Sequence, residues 1–259
     1  MSALAMFSVR GKVIVLTGGG GLYGRGLAAL LAEAGATLVI ASRDLDKLQT
    51  VAAEETARGF RVHAEPLDQS DEKSVLELRD RVLANFGRVD GLVNNAVARP
   101  MKSPDAPVSA WEESMRVNAT GLFLVTRAFG AAMCGSKSGS IVNIGSIQGM
   151  IGPTLELYEG TNMGVPPPDY FFHKGGMENL TRYYAGILGP HNVRVNCLAP
   201  GGFFNHQPEP FLTRYHEHTM LGRMADERDL GGAVIFLLSD AAKYITGANL
   251  PVDGGYTAK

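Results

Sequence analysis

The 259-residue sequence has only two cysteines, Cys134 and Cys197, too few for a disulfide framework or a thiolate metal cluster. They read as partly buried thiols in a reducing compartment. Excess charge is lacking too: 24 Lys and Arg oppose 26 Asp and Glu, a net −2. No basic field is present to draw nucleic acid or acidic lipid. No apolar stretch reaches the ~20 residues that span a bilayer. The segment MSALAMFSVRGK has no apolar core behind a basic start, so the chain reads as cytoplasmic, with neither membrane nor nucleic acid as partner. His173, His191, His206, His216 and His218 share no ligand spacing backed by carboxylates, and no metal site is expected. Internal repeats and linkers are missing as well, which leaves one domain over 1–259.

What is present is an alternation. Val13–Leu16, Leu38–Ala41, Val62–Ala64, Leu92–Asn94, Ile141–Ile144 and Val193–Cys197 are rich in β-branched residues and read as strands. Leu27–Ala34, Leu45–Arg58, Glu72–Phe86, Trp111–Met133, Glu178–Leu188 and Leu230–Ser239 carry helical period. Apolar strands alternating with helices imply an α/β fold, a doubly wound central parallel sheet with helices on both faces. Ligands bind such a sheet beyond the carboxyl ends of its strands, and the suggestive clusters of this sequence all fall there.

The first strand runs into Thr17-Gly18-Gly19-Gly20-Gly21-Leu22-Tyr23-Gly24. Glycines here allow a tight turn and close approach of backbone to a pyrophosphate, which the following helix N-terminus faces. The second strand ends at Ser42-Arg43-Asp44. Asp44 has the spacing of a ribose-binding carboxylate, but Leu45, Leu48 and Val51 begin a helical period just after it, so it reads better as an N-cap. Ser42 then holds the strand end with Arg43 beside it, and an arginine there accommodates a 2′-phosphate. NADP(H) is favoured over NAD(H).

Thr17-Gly18…Gly21…Gly24, Leu67-Asp68, Asn94-Asn95-Ala96, Asn118, Ser146, Tyr170-x-x-x-Lys174, Pro200-Gly201 and Val252-Asp253-Gly254-Gly255 follow in order. Together, from about Gly11 to Tyr256, they resemble the short-chain dehydrogenase/reductase family. The resemblance implies a Rossmann fold and an oxidoreductase that interconverts a ketone and a secondary alcohol. It implies that Asp68 contacts adenine, that Asn95 and Ala96 line the cofactor, and that the Pro200-Gly201 backbone touches the carboxamide. Many relatives carry threonine where this chain has Asn205, which either bonds the cofactor or is a plain loop residue.

Tyr170 and Lys174 are four apart, one turn along one helix face. An ammonium ~4 Å from a phenol contributes about 4 kcal/mol at an effective dielectric of 20, roughly three pKa units. That would bring a phenol toward its working range. The resemblance implies that Tyr170 transfers the proton, Lys174 holds the ribose and lowers the tyrosine pKa, Ser146 orients the substrate oxygen, and Asn118 supports the water path. It also makes Arg214, Tyr215 and His216 plausible cover for the substrate.

Three features depart from the compact members of that family. The glycine turn has the spacing of the larger, sugar-nucleotide-handling branch, Val97 replaces the usual glycine, and Ser146 and Tyr170 are 24 residues apart. The extra residues form an insertion at 153–168, stiffened by Pro166 to Pro168. Its Glu156, Tyr158, Glu159, Thr161 and Asn162 suit a polyhydroxylated or sugar-derived substrate; the other reading is a loop packed on a neighbouring subunit. A dehydratase or epimerase retaining its nicotinamide, and a non-catalytic dinucleotide-binding scaffold, are the alternative functions. Apolar Gly231–Leu238 and Ala248–Val252 point to a homotetramer.

Overall fold

Seven strands form the sheet: β1 Val13–Thr17, β2 Thr37–Ser42, β3 Arg61–Pro66, β4 Gly91–Asn94, β5 Gly139–Ile144, β6 Val193–Pro200 and β7 Asn249–Val252. In the computed structural model, which describes residues 2–259, they pair in parallel in the order β3-β2-β1-β4-β5-β6-β7. The order reverses between β1 and β4, so a crevice opens at their carboxyl ends.

Side chains alternate across this sheet. Ile14, Leu16, Leu38 and Ile40 enter one apolar layer, and Val13, Val15, Val39 and Ala41 enter the other. Helices α1 (Leu22–Glu33), α2 (Leu45–Ala57) and α8 (Gly231–Leu238) cover the first face. Helices α3 (Glu72–Phe86), α5 (Gly121–Ser136) and α6 (Pro168–Leu188) cover the second. Both faces being dry, the strands read as continuous apolar runs. Asp44 caps α2 by accepting from the Lys47 N–H at 3.1 Å, and Asp71 does the same for α3 through Lys73.

Several boundaries differ from expectation. The helix expected over Trp111–Met133 is α4 (Val108–Ser114), a π-helical turn at Met115–Thr120, and α5. This 29-residue run, Val108–Ser136, is long and apolar enough to cross a membrane, contrary to the sequence reading. Its Leu122, Leu124, Val125, Phe129 and Met133 are buried against the sheet, while Glu113 and Arg116 pair on its surface, as a core helix requires. Helix α6 begins ten residues before the expected Glu178, with Pro168 in its first turn, where a missing N–H costs nothing. Helix α7 (Glu209–His218) and strand β7 were not expected as elements. Gly231, Val234, Leu237 and Leu238 of α8 are buried in the chain's own core, so most of its apolar character is satisfied without a neighbouring subunit.

Candidate active site

The glycine turn is held from below by Thr17. Its hydroxyl accepts from the N–H groups of Asn95 and Ala96, both at 3.0 Å. The Asn95 amide donates to the carbonyls of Thr17 (3.1 Å) and Gly18 (3.2 Å). This fastens the ends of β1 and β4 together. Gly18 has φ 70°, and a Cβ there would lie 2.8 Å from the Ala96 Cα. At Gly24 a Cβ would lie 2.0 Å from the Gly18 carbonyl oxygen. Only glycine permits this approach of turn and helix. Tyr23 donates to the Gly201 carbonyl at 3.0 Å, tying the turn to the loop after β6. The crowded turn, opening at the α1 N-terminus, fits a pyrophosphate.

The residues expected at the cofactor, from Gly18 to Asn205, line one cleft of about 890 Å³ together with Ser146 and Tyr170, with the exception of Lys174, which is buried behind it. At its far end Ser42 donates to the Asp44 carbonyl, and the Asp44 carboxylate is engaged as the α2 cap. Arg43 is exposed and forms no ion pair among the described residues. Lys47 also lines this end, its stem against Gly20, a second cation that the sequence reading overlooked. Asp68 accepts from the Ser70 hydroxyl and N–H at 2.7 and 2.9 Å; these bonds hold its carboxyl below the usual range despite some burial.

Tyr170 and Lys174 project from the first half of α6 toward the end of β5, where Ser146 follows. Lys174 is buried and donates to the Ile144 carbonyl at 2.5 Å, its Nζ 5.5 Å from the Tyr170 ring centre. Burial lowers the lysine pKa, countered by Tyr170. For Tyr170, burial pushes the phenol up, but Lys174, Arg99 and a hydrogen bond with Ser146 outweigh it and leave the pKa below its ordinary value. Arg99 was missed by the sequence reading. Its guanidinium carbon lies 4.5 Å from the Tyr170 ring centre.

Lys174 and Asn118 stand behind the cleft rather than in it. With His173 they line a cavity of about 10 Å³, close to the volume that one water requires. Asn118 lies in the π turn and clasps Ala98, accepting from its N–H and donating to its carbonyl, each at 2.8 Å. His173 is buried with neither ring nitrogen bonded to protein. Burial, with Lys174 and Arg99 nearby, lowers its pKa to about 3, which keeps the imidazole neutral.

The insertion borders the cleft, but largely through other side chains than those expected. Pro153, Thr154, Leu157, Tyr158 and Met163 line it. Glu156 instead faces His218 at 2.8 Å, and the Thr161 hydroxyl donates to the Tyr158 carbonyl. Glu159 and Asn162 are not among the lining residues. Arg214 of α7 donates to the Glu156 (2.9 Å) and Glu159 (2.5 Å) carbonyls, so it braces the loop. Tyr215 lines the cleft and accepts from the Gly202 N–H at 2.5 Å; His216 does not line it.

A family model described as enoyl-(acyl carrier protein) reductase matches residues 23–257. The chain is 33% identical to a cyclopentanol dehydrogenase of Comamonas sp. (strain NCIMB 9872), over 98% of this chain and all of that one. Its fold matches a gluconate 5-dehydrogenase from Burkholderia cenocepacia J2315, solved with NADP and tartrate, at TM-score 0.89 and 31% identity over the whole of both chains. A short-chain type dehydrogenase/reductase from Mycobacterium marinum matches at TM-score 0.88 and 30% identity, also in full. A dinucleotide cleft that ends at a tyrosine lowered by two cations, within a chain matched to such relatives along its length, makes this protein a member of the short-chain dehydrogenase/reductase family, an NAD(P)-dependent oxidoreductase that interconverts a secondary alcohol and a ketone.

Proposed function

We propose that Tyr170 moves the proton, that NADP(H) is used in preference to NAD(H), and that the substrate is a compact cyclic or polyhydroxylated alcohol. The observation that carries this is Tyr170 itself, a buried phenol that lines the cleft and is held below its ordinary pKa. A bound nicotinamide supplies the hydride acceptor. In the oxidative direction ionised Tyr170 accepts the hydroxyl proton, Ser146 holds the same oxygen, and Lys174 stabilises the phenolate. Asn118 fixes the Ala98 backbone and borders the route by which the proton leaves. The apolar side chains of Leu157 and Met163 pack the carbon body, while Gln148, Tyr158 and Gln207 bond its hydroxyls. Coupled oxidation of secondary alcohols with added cofactor, followed by absorbance of the reduced nicotinamide, tests this reading.

Because oxidation needs the ionised phenol, its rate rises as pH passes upward through the Tyr170 pKa. Arg99 lowers that pKa. Arg99→Gln therefore moves the acid limb of the oxidation profile to higher pH, and an unmoved limb would deny Arg99 any influence on the phenol.

Cofactor preference rests on Arg43 and Lys47, since Asp44 is already a cap. Arg43→Ala should weaken NADP(H) by about 1.5–3 kcal/mol, the worth of a charge-assisted contact, and leave NAD(H) unaltered. Titration of both cofactors decides between this residue and another reader of the ribose.

For assembly we keep the homotetramer of dihedral symmetry. Phe123 of α5 and Phe172, Tyr183 and Ile187 of α6 are large apolar side chains left exposed, which suits burial between subunits. Light scattering at micromolar concentration should give the mass of four chains; a monomer mass overturns it.

A further inference from the structure

The charges along the cleft divide by end. Its acidic side chains, Asp44 and Asp68, belong to the far end with Arg43 and Lys47. At the Tyr170 end the one charged lining residue is Arg99, and among the described residues no carboxylate pairs with it. Its guanidinium carbon lies 4.5 Å from the Tyr170 ring centre, and the side chain hydrogen-bonds the phenol. A guanidinium carries five N–H donors in a planar fork, so one bond to the phenol leaves donors to match a carboxylate. The backbone beneath is fixed, because both polar groups of the preceding Ala98 are held by Asn118. Pro153, Leu157 and Met163 add apolar surface to the same cleft.

We infer that Arg99 is an anion-binding residue of the substrate pocket, and that the substrate is a small hydroxy acid, or the corresponding oxo acid, with a compact carbon body. This rests on the proposed reading of the site and narrows it. Because Arg99 lies over the ring of Tyr170, the carboxylate stands only a few bonds from the carbinol carbon. The carboxylate takes no part in the redox step: it is bound, and the carbinol is oxidised as before.

Binding of cyclopentanecarboxylate and of its neutral amide to the enzyme–NADP complex, measured by calorimetry, tests the inference without turnover. Wild type should hold the carboxylate more tightly than the amide. Arg99→Gln should weaken the carboxylate by about ten- to hundredfold, what one charge-assisted contact supplies, and leave the amide within a few-fold. Arg99→Lys, which keeps the charge without the fork, should fall between. Melting temperature and NADP affinity should stay at wild-type values, since Arg99 packs no core. The proposal is overturned if carboxylate and amide lose affinity alike, if neither changes, or if NADP affinity falls instead. A failure to oxidise any secondary alcohol would sink the proposed function and leave this binding result to stand or fall alone.

Discussion

Tyr170→Phe is expected to abolish turnover while cofactor affinity stays within a few-fold of wild type. The ring has neighbours on several sides that do not depend on its hydroxyl: the Arg99 guanidinium at 4.5 Å and the edge-on His173 ring at 5.2 Å, measured between centres. Phenylalanine keeps that packing. What disappears is the only group at this position able to take or return a proton, together with the hydrogen bond to Ser146. Removal of a positioned acid/base group costs about 10²–10⁴ in rate, and here no second group stands ready. His173 is neutral, walled behind the cleft, and too weak a base to substitute. Steady-state kinetics with a fluorescence titration of cofactor separates the two quantities. Retention of more than about a tenth of wild-type activity would remove Tyr170 from the proton-transfer role.

Gly24→Ala should damage the dinucleotide cradle without touching a reacting atom. The new methyl would stand 2.0 Å from the Gly18 carbonyl oxygen, 2.9 Å from its carbon and 3.1 Å from the Asn95 amide nitrogen. None of these can step aside cheaply. The Gly18 carbonyl accepts from the Gly21 N–H at 3.0 Å and from Asn95, and Asn95 in turn is bonded to Thr17. Relief requires α1 to move off the turn, which withdraws its N-terminal N–H groups from where a pyrophosphate would lie. Overpacking of this kind costs about 1–3 kcal/mol. We expect it as a lower melting temperature of the free enzyme and at least severalfold weaker cofactor binding. A variant with wild-type melting and wild-type affinity would show that the turn is not the cradle.

The central strands were legible because both sheet faces are dry there, so β1, β2, β4, β5 and β6 show compact apolar runs with few competing readings. The Gly18–Gly24 turn and Tyr170-x-x-x-Lys174 were legible because their chemistry dictates spacing. Other parts were silent for physical reasons. The first half of α6 carries Asp169, His173 and Lys174 buried, so its inward face is polar and the helical hydrophobic period begins only later. Helix α7, with sequence EPFLTRYHEH, buries only Phe211 and Tyr215 and shows too thin an apolar stripe. β7 is a short edge strand interrupted by Pro251. Arg99 left no trace, because a lone arginine in coil after β4 has no period and no partner in sequence. Its position, four residues after the first Asn94-Asn95-Ala96 side chain to enter the site region, was the one available clue. The insertion misled in a different way. Of the polar residues assigned to substrate by type, Tyr158 lines the cleft, whereas Glu156 turns toward His218 and the apolar Leu157 and Met163 line the cleft instead.

The bracing of that loop bears on how this protein could be given a new specificity. Arg214 holds the carbonyls of Glu156 and Glu159, and Tyr256 donates to the Thr154 hydroxyl at 2.8 Å across 102 residues of sequence. The pocket wall is thus one joint made from three separate stretches of chain. Transplanting 153–168 alone into a relative would deliver the loop without its props, and its conformation would have to be found again. A graft that retains the wall must carry the α7 arginine and the C-terminal tyrosine with it. The same joint explains how a substitution far from the loop in sequence, near the last few residues, could alter substrate choice: Tyr256 itself lines the cleft, and any change that frees Thr154 from it loosens the wall.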